Sequence, residues 1–217
     1  MNPLTSFTPP KLAHIRYALW ILTAIAGLVL VGLYTTGTQP IERRQPIQTG
    51  EAAIHSEFTL TDHTGKRVTE ADFLGSWQMV FFGFTYCPDV CPTTLAYMAT
   101  VLDILGESAA KTAPLFITVD PGRDTPKVMA DYVSAFHHRL VGLTGSELDV
   151  AATADAFRVY YERMEEDSAP DGYLMAHSGH IYLMTPEGRF EAVFREGDQP
   201  PEEMAWKIQN IMDKYGK

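Results

Sequence analysis

The chemistry of this chain is concentrated in one short motif, Cys87-Pro88-Asp89-Val90-Cys91, which holds the only two cysteines of the sequence. The spacing is i, i+4, one residue longer than the C-x-x-C of ordinary thiol oxidoreductases. On a helix this spacing puts both sulfurs on one face, a turn apart, where they can meet one ion or each other. At a helix N-terminus the unpaired N–H groups and the positive dipole end favour the thiolate, the form that attacks disulfides and binds metal. Two thiolates suit Cu(I), and one added imidazole suits Cu(II) or Zn(II). A structural zinc site would want four protein ligands. Three readings stand on the pair alone: a plain disulfide, a catalytic dithiol, and a metal site. A bridge across five residues constrains little chain entropy, which weakens the first.

A strand-to-helix junction must present the motif. The run WQMVFFGF (77–84) reads as a strand buried on both faces, and LAYMATVLDIL (95–105) repeats apolar residues at helical spacing. Residues 57–69 alternate around His63-Thr64-Gly65 as a hairpin does. PLFITV (114–119) is a second buried strand, followed by a helix with Thr125 as N-cap and Pro126 at its first position. A helix is expected over 146–161, strands over 179–185 and 189–194 joined at Pro186-Glu187-Gly188, and a closing helix over 200–215. Residues 164–173 carry Glu165, Glu166, Asp167 and Asp171 without periodicity and read as an acidic loop. The order predicts an α/β fold, a mixed sheet flanked by helices on the thioredoxin-like plan with insertions.

Ahead of this body, residues 17–34 are apolar and uncharged, and no charge appears until Glu42. Eighteen residues at a helical rise span about 27 Å, close to a ~30 Å hydrocarbon core. Trp20 and Tyr34 sit where interfacial aromatics belong, and Lys11 and Arg16 precede the run without an acid. The expectation is a cytoplasmic tail over 1–16, one transmembrane helix over 17–36, a linker over 37–50, and the folded domain over 51–217. A cleaved signal peptide fits less well, because no A-x-A site follows the apolar run.

The 217 residues carry a net charge of −10, with 46% hydrophobic and 20% charged residues, which excludes disorder and low-complexity chains. Lys11, Arg16, Arg43 and Arg44 against Glu42 give the first 44 residues +3 and leave −13 for the rest. An acidic body argues against a nucleic-acid partner.

Four segments resemble the Sco/SenC family of thioredoxin-fold, copper-binding proteins that serve cytochrome oxidase assembly. They are FFGFTYCPDVCPTTL (81–95), ITVDPGRDTP (117–126) with DYVSAF (131–136), VGLTG (141–145) with FRVYY (157–161), and AHSGHIYLMTPEGRF (176–190). The resemblance implies Cys87, Cys91 and His177 as ligands of copper, as Cu(I) or Cu(II). It implies delivery of copper to, or preparation of, the binuclear CuA site on the copper-bearing subunit of cytochrome c oxidase. A thioredoxin-like reductant and another copper chaperone are the further partners it suggests. The location it implies, with the anchor, is a bacterial inner membrane with the body in the periplasm. The alternative is a thiol-disulfide oxidoreductase using Cys87 or Cys91 as nucleophile, with a redox or copper sensor as a third reading. Ala176 stands where the family usually has Asp, which removes a carboxylate expected to orient the His177 ring.

Other candidates carry less. His180 is the nearest rival of His177, but in an extended segment a separation of three points the rings to opposite faces. His137 and His138 read as a solvated helix end. Met164 and Met175 are available thioethers that more simply fill space. Asp89 faces a partner, and Asp120 and Arg123 follow a strand whose C-terminal end approaches the site.

Overall fold

A computed structural model describes residues 11–37 and 54–215, and in the first stretch the side chains of 16–17, 19–30 and 32. The chain divides into two compact units, Met1–Thr49 and Gly50–Lys217. In the first, helix α1 covers Lys11–Gly37. Its described apolar side chains, among them Leu22, Leu28 and Leu30, are exposed on all sides. A helix covers the expected 17–36, and among the described residues no helix is long and apolar enough to cross a membrane. The linker expected over 37–50 lies outside the described residues beyond Gly37.

The second unit is built on seven strands in the order β2-β1-β5-β4-β3-β8-β9. The hairpin β1 (Thr59–Asp62) and β2 (Arg67–Thr69) forms where the alternation places it. Its turn is fixed by Asp62 Oδ1, which accepts from Thr64 N (2.8 Å) and Lys66 N (2.9 Å), and by Gly65 at φ 89°. Strands β3 (Trp77–Gly83), β4 (Thr112–Thr118) and β5 (Val141–Thr144) run parallel. Every residue of β3 is buried, which is why its sequence is apolar without alternation. Strand β8 (His180–Met184) pairs antiparallel with β3, and β9 (Phe190–Arg195) closes that edge.

Helix α2 (Val90–Leu105) buries Cys91, Leu95, Met98, Leu102 and Leu105, and packs against α5 (Pro201–Tyr215) through its Met204, Ile208 and Met212 face. Helix α3 (Pro126–Ser134) starts as expected, with Thr125 Oγ1 accepting from Val128 N, and lies on β5. The approach is close: a Cβ at Gly142 would stand 3.1 Å from Val133 Cγ1 and 3.2 Å from Met129 Cβ. Helix α4 (Glu147–Ala156) packs on β1.

Two expectations change, and one strand has no counterpart among them. The helix over 146–161 stops at Ala156, because Arg158 turns left-handed at φ 55° and Val159 N donates back to Ala154 O (2.8 Å). Residues 141–144 form the interior strand β5, too short to show a period. The acidic segment is the tip of a separate two-stranded sheet, β6 (Tyr161–Glu165) against β7 (Tyr173–His177). Asp171 and Gly172, at φ 61° and 75°, supply the left-handed turn that makes this hairpin.

Candidate metal centre

The site lies where β3 ends and α2 begins. After Phe84 the chain turns, with Cys87 N donating to Phe84 O (3.3 Å), and Cys91 falls in the first turn of α2. This turn is held from below by Asp124, a buried carboxylate that the sequence reading passed over. Its oxygens accept from Thr85 N (3.0 Å), Thr85 Oγ1 (2.5 Å) and Thr118 Oγ1 (2.5 Å), tying together the C-terminal ends of β3 and β4. Burial pushes the Asp124 carboxyl up, against the pull of those three donors. The only signal in the sequence was an Asp four residues after Asp120 at the end of a strand.

Cys91 is fully buried and Cys87 half-buried, and both are free thiols. Room for Cys91 comes from Gly83: a Cβ there would sit 2.7 Å from Cys91 Sγ and 2.9 Å from Phe116 Cε2. Cys91 N donates to Cys87 Sγ (3.4 Å). The Cys87 thiol is lowered to about 4, first by a hydrogen bond from the Cys91 thiol, then by His177 and the main-chain N–H groups of residues 89 and 91, against the opposing effect of burial. Cys91 is pushed far above its ordinary value because it gives that hydrogen bond and is buried beside a negative sulfur. At neutral pH the pair is one thiolate, Cys87, and one thiol, Cys91.

His177, the last residue of β7, reaches this pair. Its Nε2 is 3.3 Å from Cys91 Sγ and its Nδ1 is 3.2 Å from Ser178 O. With Nδ1–H donating to that carbonyl, Nε2 is the ring atom that faces the sulfurs, able to hold a proton toward the Cys87 thiolate or, once an ion is bound, to offer it a lone pair. The ring stands edge-on against Phe81 and Phe84, at 6.1 Å and 5.9 Å between centroids. The ligand atoms of Cys87, Cys91 and His177 all lie within 4.8 Å of one another, a grouping that could hold a metal ion. Two soft sulfurs and one imidazole nitrogen, walled by aromatic rings, fit copper better than a hard oxygen-seeking ion.

His180 does not join the group. It opens β8 in the main sheet, and its ring lies against Tyr182 instead. The reason differs from the strand-parity argument, since Ser178 and Gly179 break the chain between two sheets. His137 and His138 stack on each other at 4.4 Å, His137 being a mostly buried ring near Asp103 and not a solvated end. Asp89 is exposed as the α2 N-cap without a side-chain capping bond. Met164 is exposed, whereas Met175 packs against the core and borders, with Phe84, Cys87, Pro88 and His177, a cleft of about 440 Å³.

One expectation about the site is corrected. Residue 176 is adjacent to His177 on a strand, so its side chain points to the opposite face of β7, where its cross-strand partner is Glu162. A carboxylate at 176 would stand beside Glu162 and not beside the imidazole. The orienting partner of His177 is the Ser178 carbonyl.

The family model described as SCO1/SenC matches residues 46–213. The chain belongs to the SCO1/SenC family. Among relatives, the human protein named SCO1 homolog, mitochondrial, is 37% identical over 222 residues, covering 100% of this chain and 73% of that protein. The SCO2-like protein of Rickettsia felis is 33% identical over 184 residues, 85% of this chain and 90% of that one. Among solved structures, Arabidopsis thaliana ScoI with copper bound superposes with a TM-score of 0.69 at 38% identity, covering 75% of this chain and 99% of that one. Bradyrhizobium japonicum ScoI with copper bound gives 0.67 at 40% identity over 72% and 98%. These likenesses give the family its thioredoxin-like, helix-flanked mixed sheet in this chain.

Proposed function

We propose that this chain is a membrane-anchored copper chaperone that carries copper on Cys87, Cys91 and His177 toward the CuA site of a cytochrome c oxidase. The observation that carries the reading is the convergence of these three donors from separate elements to within 4.8 Å. It is supported by relatives solved with copper bound. Copper here is cargo. Cys87 offers a ready thiolate, Cys91 gives up its proton as the ion arrives, and His177 adds a nitrogen that favours Cu(II) over the two-sulfur state. Half-exposed Cys87 opens on the cleft, so a client's ligands approach from that side.

The proposed anchor is the helix over 17–36, with residues 1–16 in the cytoplasm, 37–50 as the linker and the body in the periplasm of a bacterial inner membrane. Support comes from the uncharged run, from Lys11 and Arg16 ahead of it, and from apolar side chains exposed all round α1. Tethering raises the effective concentration near a membrane-bound client.

The lowered Cys87 thiol favours one second reading, a thiol-disulfide oxidoreductase. Cys87 Sγ would attack a client disulfide and expel one client thiolate. Cys91 would then lose its proton to that thiolate and attack Cys87, freeing the second client sulfur and leaving a Cys87–Cys91 disulfide. A thioredoxin-like reductant would have to restore the dithiol. Complementation of a deletion strain separates the two. Rescue of an anchor-deleted chain by added copper supports the chaperone, and rescue by a small-molecule thiol with copper without effect supports the reductase.

A further inference from the structure

The three donors do not share one support. The β6–β7 hairpin that ends in His177 has no strand pairing with the seven-stranded sheet among the described residues. The hydrogen bonds Glu166 N to Gly172 O (2.9 Å) and Ser178 N to Tyr160 O (3.0 Å) bracket its own ladder. Something other than the sheet must therefore hold His177 at its distance from the sulfurs.

Tyr173, the first residue of β7, is gripped on both faces and at both ends. Arg123 Cζ lies 3.7 Å from its ring centroid and Arg163 Cζ 3.8 Å. Tyr173 Oη donates to Asp120 Oδ1 (3.1 Å), and Arg123 Nη1 donates to Tyr173 O (3.3 Å). The Asp120 and Arg123 side chains are themselves mostly buried and paired, with Arg123 Nε donating to Asp120 Oδ2. Burial, and then the bond to Asp120, push the phenol up, so it remains a donor at neutral pH.

The loop that grips Tyr173 is the loop that holds the cysteines. Asp120 and Arg123 lie within five residues of Asp124, which binds Thr85, two residues before Cys87. Residues 173 and 177 share one face of a strand about 13 Å apart. One rigid loop after β4 thus fixes the cysteine turn through Asp124 and the histidine strand through Asp120 and Arg123.

We propose that Tyr173 is a positioning residue for His177, a latch that keeps the imidazole within reach of copper held by the two thiols. The proposal rests on His177 being a copper ligand, and its effect should fall on Cu(II), which needs the nitrogen, more than on Cu(I), which two thiolates retain.

The test uses the detergent-solubilised full chain with Tyr173→Ala, Tyr173→Phe and Arg163→Gln. Competition titration of Tyr173→Ala should show Cu(II) affinity reduced about 10–100-fold, the range for loss of an outer partner, with weakened nitrogen coupling in the electron paramagnetic resonance spectrum. Cu(I) affinity should change little. Tyr173→Phe keeps the stacking and loses the Asp120 bond, so it should fall between wild type and Tyr173→Ala. In a His177→Ala background, Tyr173→Ala should cost nothing further; additive losses would overturn the latch. In metal-free protein, the ring-current shifts that Phe81 and Phe84 impose on the His177 ring should shrink in the Tyr173 variants. Unchanged His177 resonances would refute the latch even if the wild type held no copper, a result that would refute the chaperone reading alone. Where Tyr173→Ala fails to fold, Tyr173→Phe and Arg163→Gln carry the same measurements.

Discussion

The cysteine turn and the histidine hairpin contribute to one site but are built oppositely. Cys91 is fully buried at the base of α2, over a glycine that leaves it no spare room, at the end of a strand without one exposed residue. His177 arrives on a two-stranded appendage whose partner strand β6 is largely exposed and whose grip on the body is made by side chains. The lesson is a division of labour: two sulfurs set by the core sheet and helix, and one nitrogen set by side-chain contacts from a separate hairpin to the loop after β4.

The largest effect should come from the rigid half. Cys87→Ser or Cys91→Ser should each abolish copper retention, exceeding the ~100-fold cost of losing an outer-shell partner, because a hydroxyl is a poor soft-metal ligand. Metal analysis after gel filtration checks this, and retention by either variant would break the comparison. Next comes Gly83→Ala, whose new Cβ would meet Cys91 Sγ at 2.7 Å. Overpacking of this kind costs about 1–3 kcal/mol in stability, read as a lower midpoint in denaturant. A wild-type midpoint and wild-type copper affinity together would show that the thiol has room to move.

A smaller effect follows from the asymmetry of the two thiols. With Cys87 ionised above a pKa of about 4 and Cys91 still protonated at neutral pH, Cu(I) binding to both sulfurs releases one proton, from Cys91. Apparent Cu(I) affinity should therefore rise about tenfold per pH unit around neutrality and fall more steeply below pH about 4. Alkylation at pH 6 should in parallel modify Cys87 and spare buried Cys91. A flat pH dependence would mean that both sulfurs are already thiolates. The smallest expected effect belongs to the hairpin's far face: Ala176→Asp should leave the Cu(II) spectrum unchanged, since its carboxylate would stand beside Glu162. A shifted spectrum would mean that the strand twists residue 176 toward the ring.

The sequence disclosed the rigid half well and the hairpin half poorly, for physical reasons. Strand β3 and helix α2 announce themselves because burial forces an apolar run and a helical period, and the cysteines sit at their junction. Thr125 and Pro126 mark the start of α3 in the same local way. Strand β6 is largely exposed and β7 only half-buried, so neither alternates clearly, and their turn lies at Asp171-Gly172 within a stretch that reads as an acidic loop. The grip of Arg123 and Asp120 on Tyr173 joins positions 50 and 53 residues apart, and that of Asp124 on Thr85 spans 39. No local pattern reports such contacts. The expected influence of residue 176 failed because adjacency in sequence on a strand means opposite faces.

The measurement that bears most directly on this account is an anaerobic titration of the reduced full chain with Cu(I) and with Cu(II), alongside His177→Ala. The account predicts one copper retained per chain in either state, a thiolate-to-Cu(II) charge-transfer band in the wild type, and selective loss or alteration of the Cu(II) form in the variant while Cu(I) stays bound. No copper retained at stoichiometric loading, or identical Cu(II) spectra for wild type and His177→Ala, would contradict it.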